Sequence, residues 1–375
     1  MARSVRRVAL VSRPSSPIAQ AGAGDAGSLG VLMLGLAAEL AIRDVAVDLV
    51  GPGQQDSSIA LLPGVSLHLL AADTSDEFGE GFARLVRDRP VDIVHAYGLP
   101  SGIAALPAAI ELRIPFVETF GGITGAPAER YLADQADAVI AASASDAGTL
   151  LDAVGSPAAR TWIVPPGVAL ELFAPHPPDP DLRRSLGIEP DRPVLAMIGR
   201  LAPRKGQELA IEALAELHAM RGWAPLLVIA GGPETGMEEW AGTLAPFAAD
   251  LGVGRDVRML GPIHRDEVAD LLAIADVALV PSADEPFGLV ALEAAASGTP
   301  VVASRVGALP EAVGSGGLLL TSRDPTEWAA VLASLLDDES HRTAFGAAGR
   351  AHAERFTWGA AAASLLGIYA VLSSR

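Results

Sequence analysis

Apolar residues in this chain cluster in runs of about four to six, each closed by Gly, Ser or Pro. Longer stretches follow, in which apolar positions recur every three or four residues. The runs at 7–12 (RVALVS), 45–50, 92–95 (DIVH), 115–118 and 137–141 (DAVIA) predict strands. An apolar helix is predicted over 29–42. Continuously apolar strands are buried on both faces, so this alternation predicts a parallel sheet covered by helices on both sides. From 163 to 193 the rhythm stops. The stretch VPPGVALELFAPHPPDPDLRRSLGIEPDRP is dense in Pro and charge and reads as a linker. Strands then resume at 194–198, 226–230, 257–260, 277–280 and 301–303, with an amphipathic helix over 206–220. The expected organisation is two doubly wound α/β domains, 1–170 and 171–355, joined by a proline-rich hinge. A last segment, 356–375, carries a helix apolar on most faces, which is expected to cross back onto the first domain. Functional residues are expected in the loops beyond the carboxyl ends of the strands, where doubly wound sheets bind ligands.

Composition narrows the function. Half of the 375 residues are hydrophobic, enough to build two cores and to exclude a disordered chain. The 27 Lys and Arg against 45 Asp and Glu give a formal charge of -18, which disfavours nucleic acid and anionic lipid as partners. There is no cysteine, so disulfides, thiolate metal sites and a cysteine nucleophile are excluded. The apolar run near the N-terminus is too short for a secretion signal. The apolar stretch over 358–372 contains two glycines and falls short of the roughly 18–20 residues of a membrane span. A cytoplasmic location without stable membrane insertion is expected, and a homodimer is compatible with the sequence.

Three loops carry candidate chemistry. The first, Gly22-Ala23-Gly24-Asp25-Ala26-Gly27, matches G-x-G-x-x-G literally and precedes a helix, so it can present amides to a phosphate. A dinucleotide site fits poorly. Nine residues separate the loop from the strand ending at Ser12, and Val50-Gly51 stands where a ribose-binding acid would end the second strand. A plain structural turn is the remaining alternative. The second loop, Gly199-Arg200-Leu201-Ala202-Pro203-Arg204-Lys205-Gly206, ends the first strand of the second domain. Arg200 and Lys205 there either neutralise a diphosphate or are solvated cations. The third, VPSADEPFGLVALE over 280–293, runs from a strand through an acidic loop into a helix. Pro286 is expected in the first helical turn, Glu285 just before the helix and Glu293 about two turns inside. The amides of Phe287, Gly288 and Leu289 are expected as unpaired helix-start donors.

The segments GRLAPRKG, AGGP, EPFGLVALEAAASGTPVVAS and VGALPE, with AGAGDAGSL, IVPPGV…LF and ERFTW, resemble those of retaining GT-B glycosyltransferases of the GT4 type. That group includes sucrose-phosphate synthase and the mycothiol-pathway glycosyltransferase. The resemblance spans nearly the whole chain. It implies a GT-B fold, two Rossmann-like domains facing across a cleft, and hexosyl transfer from a nucleoside diphosphate sugar (UDP or GDP) to a small-molecule acceptor, without a metal or other cofactor. It further implies that Arg200 and Lys205 hold the donor diphosphate in place of a metal. Glu285 and Glu293 match the family's E-x7-E pair and would contact the donor sugar and the ribose. Gly199 belongs to the same donor loop. The backbone of Phe287, Gly288 and Leu289 would bind sugar and phosphate, and Gly24, Gly27 and Ser28 would close over the phosphates. The catalytic set is then Glu285, Arg200 and Lys205.

The acceptor side departs from the family pattern. Gly121 stands where the family has a sugar-contacting His, and Gly122 replaces the Thr after it. Glu118 or His95 could compensate, although His95 reads more readily as a packed strand end. Gly30 takes the place of the Asn that helps hold inositol phosphate in the mycothiol-pathway enzyme, and that enzyme's HYW run becomes His95-Ala96-Tyr97-Gly98. Asp25, Tyr97, Glu118, Gly121 and Gly122 are therefore the candidate acceptor residues, and inositol phosphate is not the expected acceptor. A thiol or amine acceptor of specialised metabolism is one alternative, and a nucleotide-sugar-binding protein with weak catalysis is another. Asp179-Pro180-Asp181 matches a D-x-D metal motif but lies in the linker, away from any strand end. The seven histidines lack metal-ligand spacing.

Overall fold

A computed structural model describes residues 5–18, 28–177, 179–189 and 191–374. The chain forms two compact units. The first comprises the N-terminal strand region, Ser28–Gly167 and Trp358–Arg375, and the second contains Val168–Thr357.

The first unit is built on strands β1 (Arg7–Val11), β2 (Ala46–Gly53), β3 (Ser57–Leu62), β4 (Val65–Ala71), β5 (Ile93–Tyr97), β6 (Phe116–Thr119), β7 (Ala138–Ala141) and β8 (Thr161–Ile163). Their order in the sheet is β3-β4-β2-β1-β5-β6-β7-β8. Only the β3–β4 pair is antiparallel. Strand order reverses at β1, with Val8 in register with both Val47 and Ile93. The sequence pattern misses the β3–β4 hairpin and β8. Strand β3 is an edge strand with Ile59 and Leu62 exposed, so no buried face marks it. Strand β4 carries His68 inside its apolar run. The ring is buried and bridges Ser58 (2.8 Å from Nδ1) and the buried Asp48 (3.1 Å from Nε2). Asp48 also takes Arg7 and Arg89, each at 3.2 Å. A polar group enters a core strand only when its partners come with it.

The helix Trp358–Ser373 belongs to this first unit and packs on the helix Ser28–Ile42. Gly35 allows the close approach: a Cβ there would fall 2.5 Å from the Trp358 indole. Farther along, Tyr369 places its hydroxyl 2.6 Å from His95 Nδ1.

The second unit contains β9 (Val194–Ile198), β10 (Leu226–Ala230), β11 (Val257–Gly261), β12 (Val277–Val280), β13 (Val301–Ser304) and β14 (Gly317–Leu320). The order is β11-β10-β9-β12-β13-β14, all parallel. Helices Gln207–Arg221, Glu238–Asp250 and Pro325–Asp337 contribute to one apolar cluster, which includes the fully buried Trp328. Helices Arg265–Ile274 and Leu289–Ala296 contribute to another. Strand β14 begins on a glycine, is only half-buried and is not among the strands that the sequence pattern predicts.

Much of the predicted linker is ordered structure of the second unit. Val168 N donates to Phe356 O (2.9 Å), Phe173 is fully buried, and Pro180–Ser185 is a helix. Asp179 caps that helix by accepting from Asp181 N at 2.8 Å, and Asp181 pairs with Arg184. The D-x-D match therefore has a capping explanation.

Candidate functional site

In the second unit, chain direction along the sheet reverses between β9 and β12. Doubly wound sheets bind ligands at such a reversal, beyond the carboxyl ends of the strands. Arg200 and Lys205 follow β9, and Glu285 follows β12. Lys205 Nζ lies 2.6 Å from Glu285 Oε2, which also accepts from Ser282 Oγ at 3.3 Å. Arg200 lies 3.2 Å from Glu234 in the loop after β10, and Arg204 reaches the same oxygen at 2.5 Å. Arg200 and Lys205 are thus anchored cations, rather than solvated ones, in loops that close on each other.

Backbone contacts fix these loops. Ala283 N donates to Arg204 O (2.7 Å), and Ala308 N, beyond β13, donates to Glu285 O (2.9 Å). The buried Gln207 donates from Nε2 to Arg200 O at 3.0 Å. Glycine is required at the approaches. Gly206 has φ +81° and a Cβ there would meet Pro281 O at 2.3 Å, while one at Gly231 would meet Gly199 O at 1.9 Å. The AGGP segment thus owes its glycine at 231 to the packing of the β10 loop against the β9 loop.

The helix after β12 starts later than the sequence predicts. It spans Leu289–Ala296, with Gly288 capping it at φ +66°. Pro286 and Phe287 therefore lie in the loop, and Glu293 is little more than one turn inside. The first intrahelical bond runs from Leu292 N to Gly288 O, so the amides of Leu289, Val290 and Ala291 precede it at the helix start. Glu293 is buried, and its Oε1 lies 2.7 Å from Arg265. Burial pushes its carboxyl above the usual range, and the charge of Arg265 opposes this. Among the described residues no group of three or more His, Asp or Glu could hold a metal ion.

In the first unit the candidate residues are not gathered in one place. Gly24, Asp25 and Gly27 lie outside the described residues, and Ser28 is the first residue of its helix. Tyr97 and Glu118 are buried, and they point to opposite faces of the sheet. Tyr97 stacks on His95 with centroids 4.3 Å apart. His95 sits between the Tyr369 hydroxyl and Thr119 Oγ1, the latter at 2.7 Å, and burial lowers its pKa to about 3. It is a neutral, packed core histidine. Glu118 faces the other way, against Gly102 and Leu132, and neither carboxyl oxygen has a hydrogen-bond partner. Burial pushes its pKa well above the usual carboxylate range. Gly121 and Gly122 follow β6 and border open space: a Cβ at either would meet nothing within 4 Å.

Sequence reasoning missed Glu234, which holds Arg200, and Arg265, which holds Glu293. Both had a signal: each lies just past the carboxyl end of a strand, Glu234 after AGGP and Arg265 after β11.

The two parallel-sheet units, with paired cations and acids at a strand-order reversal, define an α/β ligand-binding enzyme architecture. Residues 29–172 match Glycosyltransferase Family 4, and residues 178–352 match Glycosyl transferases group 1. The D-inositol 3-phosphate glycosyltransferase of Kineococcus radiotolerans is 35% identical over 414 residues, covering 98% of this chain and 95% of that protein. The protein of that name from Corynebacterium glutamicum is 33% identical over 402 residues, covering 97% and 96%. Sucrose-phosphate synthase from Thermosynechococcus elongatus superposes with a TM-score of 0.87 at 26% identity, covering 97% and 98% of the two chains. Anabaena HepE, solved with UDP and glucose, shares the fold (TM-score 0.79, 22% identity, coverage 97% and 99%). The chain belongs to the GT4-type glycosyltransferases of GT-B fold. No helix among the described residues is long and apolar enough to cross a membrane.

Proposed function

We propose that this glycosyltransferase moves a hexosyl group from a UDP- or GDP-sugar to a small-molecule acceptor other than inositol phosphate, with retention at the anomeric carbon and without a metal. The donor half rests on one observation: Arg200, Lys205 and Glu285 converge where strand order reverses between β9 and β12. Rupture of the sugar–phosphate bond places negative charge on the leaving diphosphate. Two fixed cations and the amides at the start of the Leu289–Ala296 helix stabilise that charge, as preorganised donors do. Glu285 addresses the donor sugar and Glu293 the ribose, in line with the family pattern.

For the acceptor, the name of the relatives makes inositol 3-phosphate the first compound to assay. Three glycines argue against it here. Gly30, Gly121 and Gly122 replace side chains expected in that pathway, and Gly121 and Gly122 leave room for a bulkier group. With Tyr97 and Glu118 in the core, contacts are assigned to the loop after β6. An acceptor attacking through sulfur or nitrogen suits the same space.

NMR-monitored transfer from UDP- and GDP-sugars, with and without chelator, tests the proposal. Retained configuration is expected, with turnover lowered at least 100-fold in Arg200→Ala, about the loss of a preorganised donor, and lowered as well in Glu285→Ala, which removes a contact to the donor sugar. Unchanged turnover in both variants refutes the donor assignment. Efficient transfer to inositol 3-phosphate refutes the acceptor assignment alone.

A further inference from the structure

Phe173, Arg265 and Glu293 form a continuous chain inside the second unit, and neither the E-x7-E pattern nor the donor loops account for it. The Arg265 guanidinium lies over the Phe173 ring, 5.0 Å from its centroid, and a terminal nitrogen reaches Glu293 Oε1 at 2.7 Å. Arg265 is about one-third exposed, whereas the Glu293 side chain is 5% exposed and Phe173 is fully buried. Arg350 fixes the far end. It donates to Phe173 O and Ala296 O, each at 2.9 Å, and to Leu170 O at 3.3 Å. One arginine thereby ties the 168–173 segment to the last turn of the helix that carries Glu293.

We propose that Arg265, oriented by Phe173, is a positioning residue: it holds one oxygen of Glu293 so that the other addresses the ribose hydroxyls of the donor nucleotide. This rests on the donor site proposed above. A carboxylate on a helix has several rotamers, and only a fixed one discriminates between a ribose and a deoxyribose. Cation–π stacking restricts the guanidinium plane, and the ion pair restricts the carboxylate. The LF of the hinge motif, Leu172-Phe173, then has a physical task.

The test is calorimetric binding of UDP and GDP, each against its 2′-deoxy form, to the full chain. Wild type is expected to prefer the ribonucleotide by roughly tenfold or more, about the value of a hydrogen bond to a charged group. Arg265→Met is expected to reduce that preference to about twofold or less while retaining diphosphate affinity. Arg265→Lys should restore part of it, and Phe173→Leu should lower it to an intermediate value. A wild-type ribose preference in Arg265→Met refutes the positioning role. Equal weakening of both nucleotide forms, with the ratio unchanged, refutes it as well and leaves a structural ion pair. No binding of either diphosphate by wild type overturns the donor site itself, a different result from an unchanged ratio.

Discussion

Replacing Lys205 with Ala is expected to destabilise the second unit and weaken donor binding, and the two effects can be separated. The side chains of Lys205 and Glu285 are 15% and 11% exposed, and their charged atoms are 2.6 Å apart. Removal of the ammonium leaves Glu285 with Ser282 Oγ at 3.3 Å as a weak partner. Breaking a fully buried pair costs about 3–5 kcal/mol, and an exposed pair is worth about 0–1. The slight exposure here places Lys205→Ala at about 2–3 kcal/mol. For a unit of this size that corresponds to a fall of about 4–12 °C in melting temperature. Adding Glu285→Gln removes the stranded charge, so the double variant should recover more than half of the loss. Calorimetric melting of wild type, both singles and the double closes a double-mutant cycle. Nucleotide titration of the same four proteins is expected to show weak binding wherever Lys205 is absent, whatever the melting temperature. A Lys205→Ala protein that melts within about 1 °C of wild type, or a double variant whose loss equals the sum of the singles, would refute the coupling.

Glu118 gives a pH prediction. Its folded-state pKa is raised by burial, so its stability contribution is fully present below the ordinary carboxylate range and is lost as pH rises through the folded value. Glu118→Gln, neutral throughout, should flatten the decline of melting temperature as pH rises above the ordinary carboxylate range; an unchanged slope would refute the contribution of Glu118 to it. Gly231→Ala should cost roughly 3–5 kcal/mol or prevent folding, because its Cβ would sit 1.9 Å from Gly199 O at a φ of +141°. A soluble variant melting as wild type would contradict that packing.

Local pattern alone carries much of the architecture. Ten of the fourteen strands among the described residues are announced by apolar runs, since a strand buried on both faces is apolar along most of its length. The paired cations of the β9 loop and the acids after β12 were legible for a related reason: strand-end loops are where a doubly wound sheet places its chemistry. Strand β3 was not read from the sequence: its apolar run over 59–62 is short and lies largely exposed at a sheet edge. The placement of Tyr97 and Glu118 was not legible either, since adjacent strand positions look alike until the sheet assigns each to a face.

Burial and partnership are what the tertiary structure alone decided. His95 became a neutral core residue because Tyr369, 274 residues away, covers it. Glu293 gained its ion pair because Arg265, which also lies over the ring of Phe173, reaches it from the helix after β11. The sequence determined which side chains end each strand, because hydrophobic periodicity is local. It could not determine which charges meet, because ion pairs form between loops brought together only by strand order.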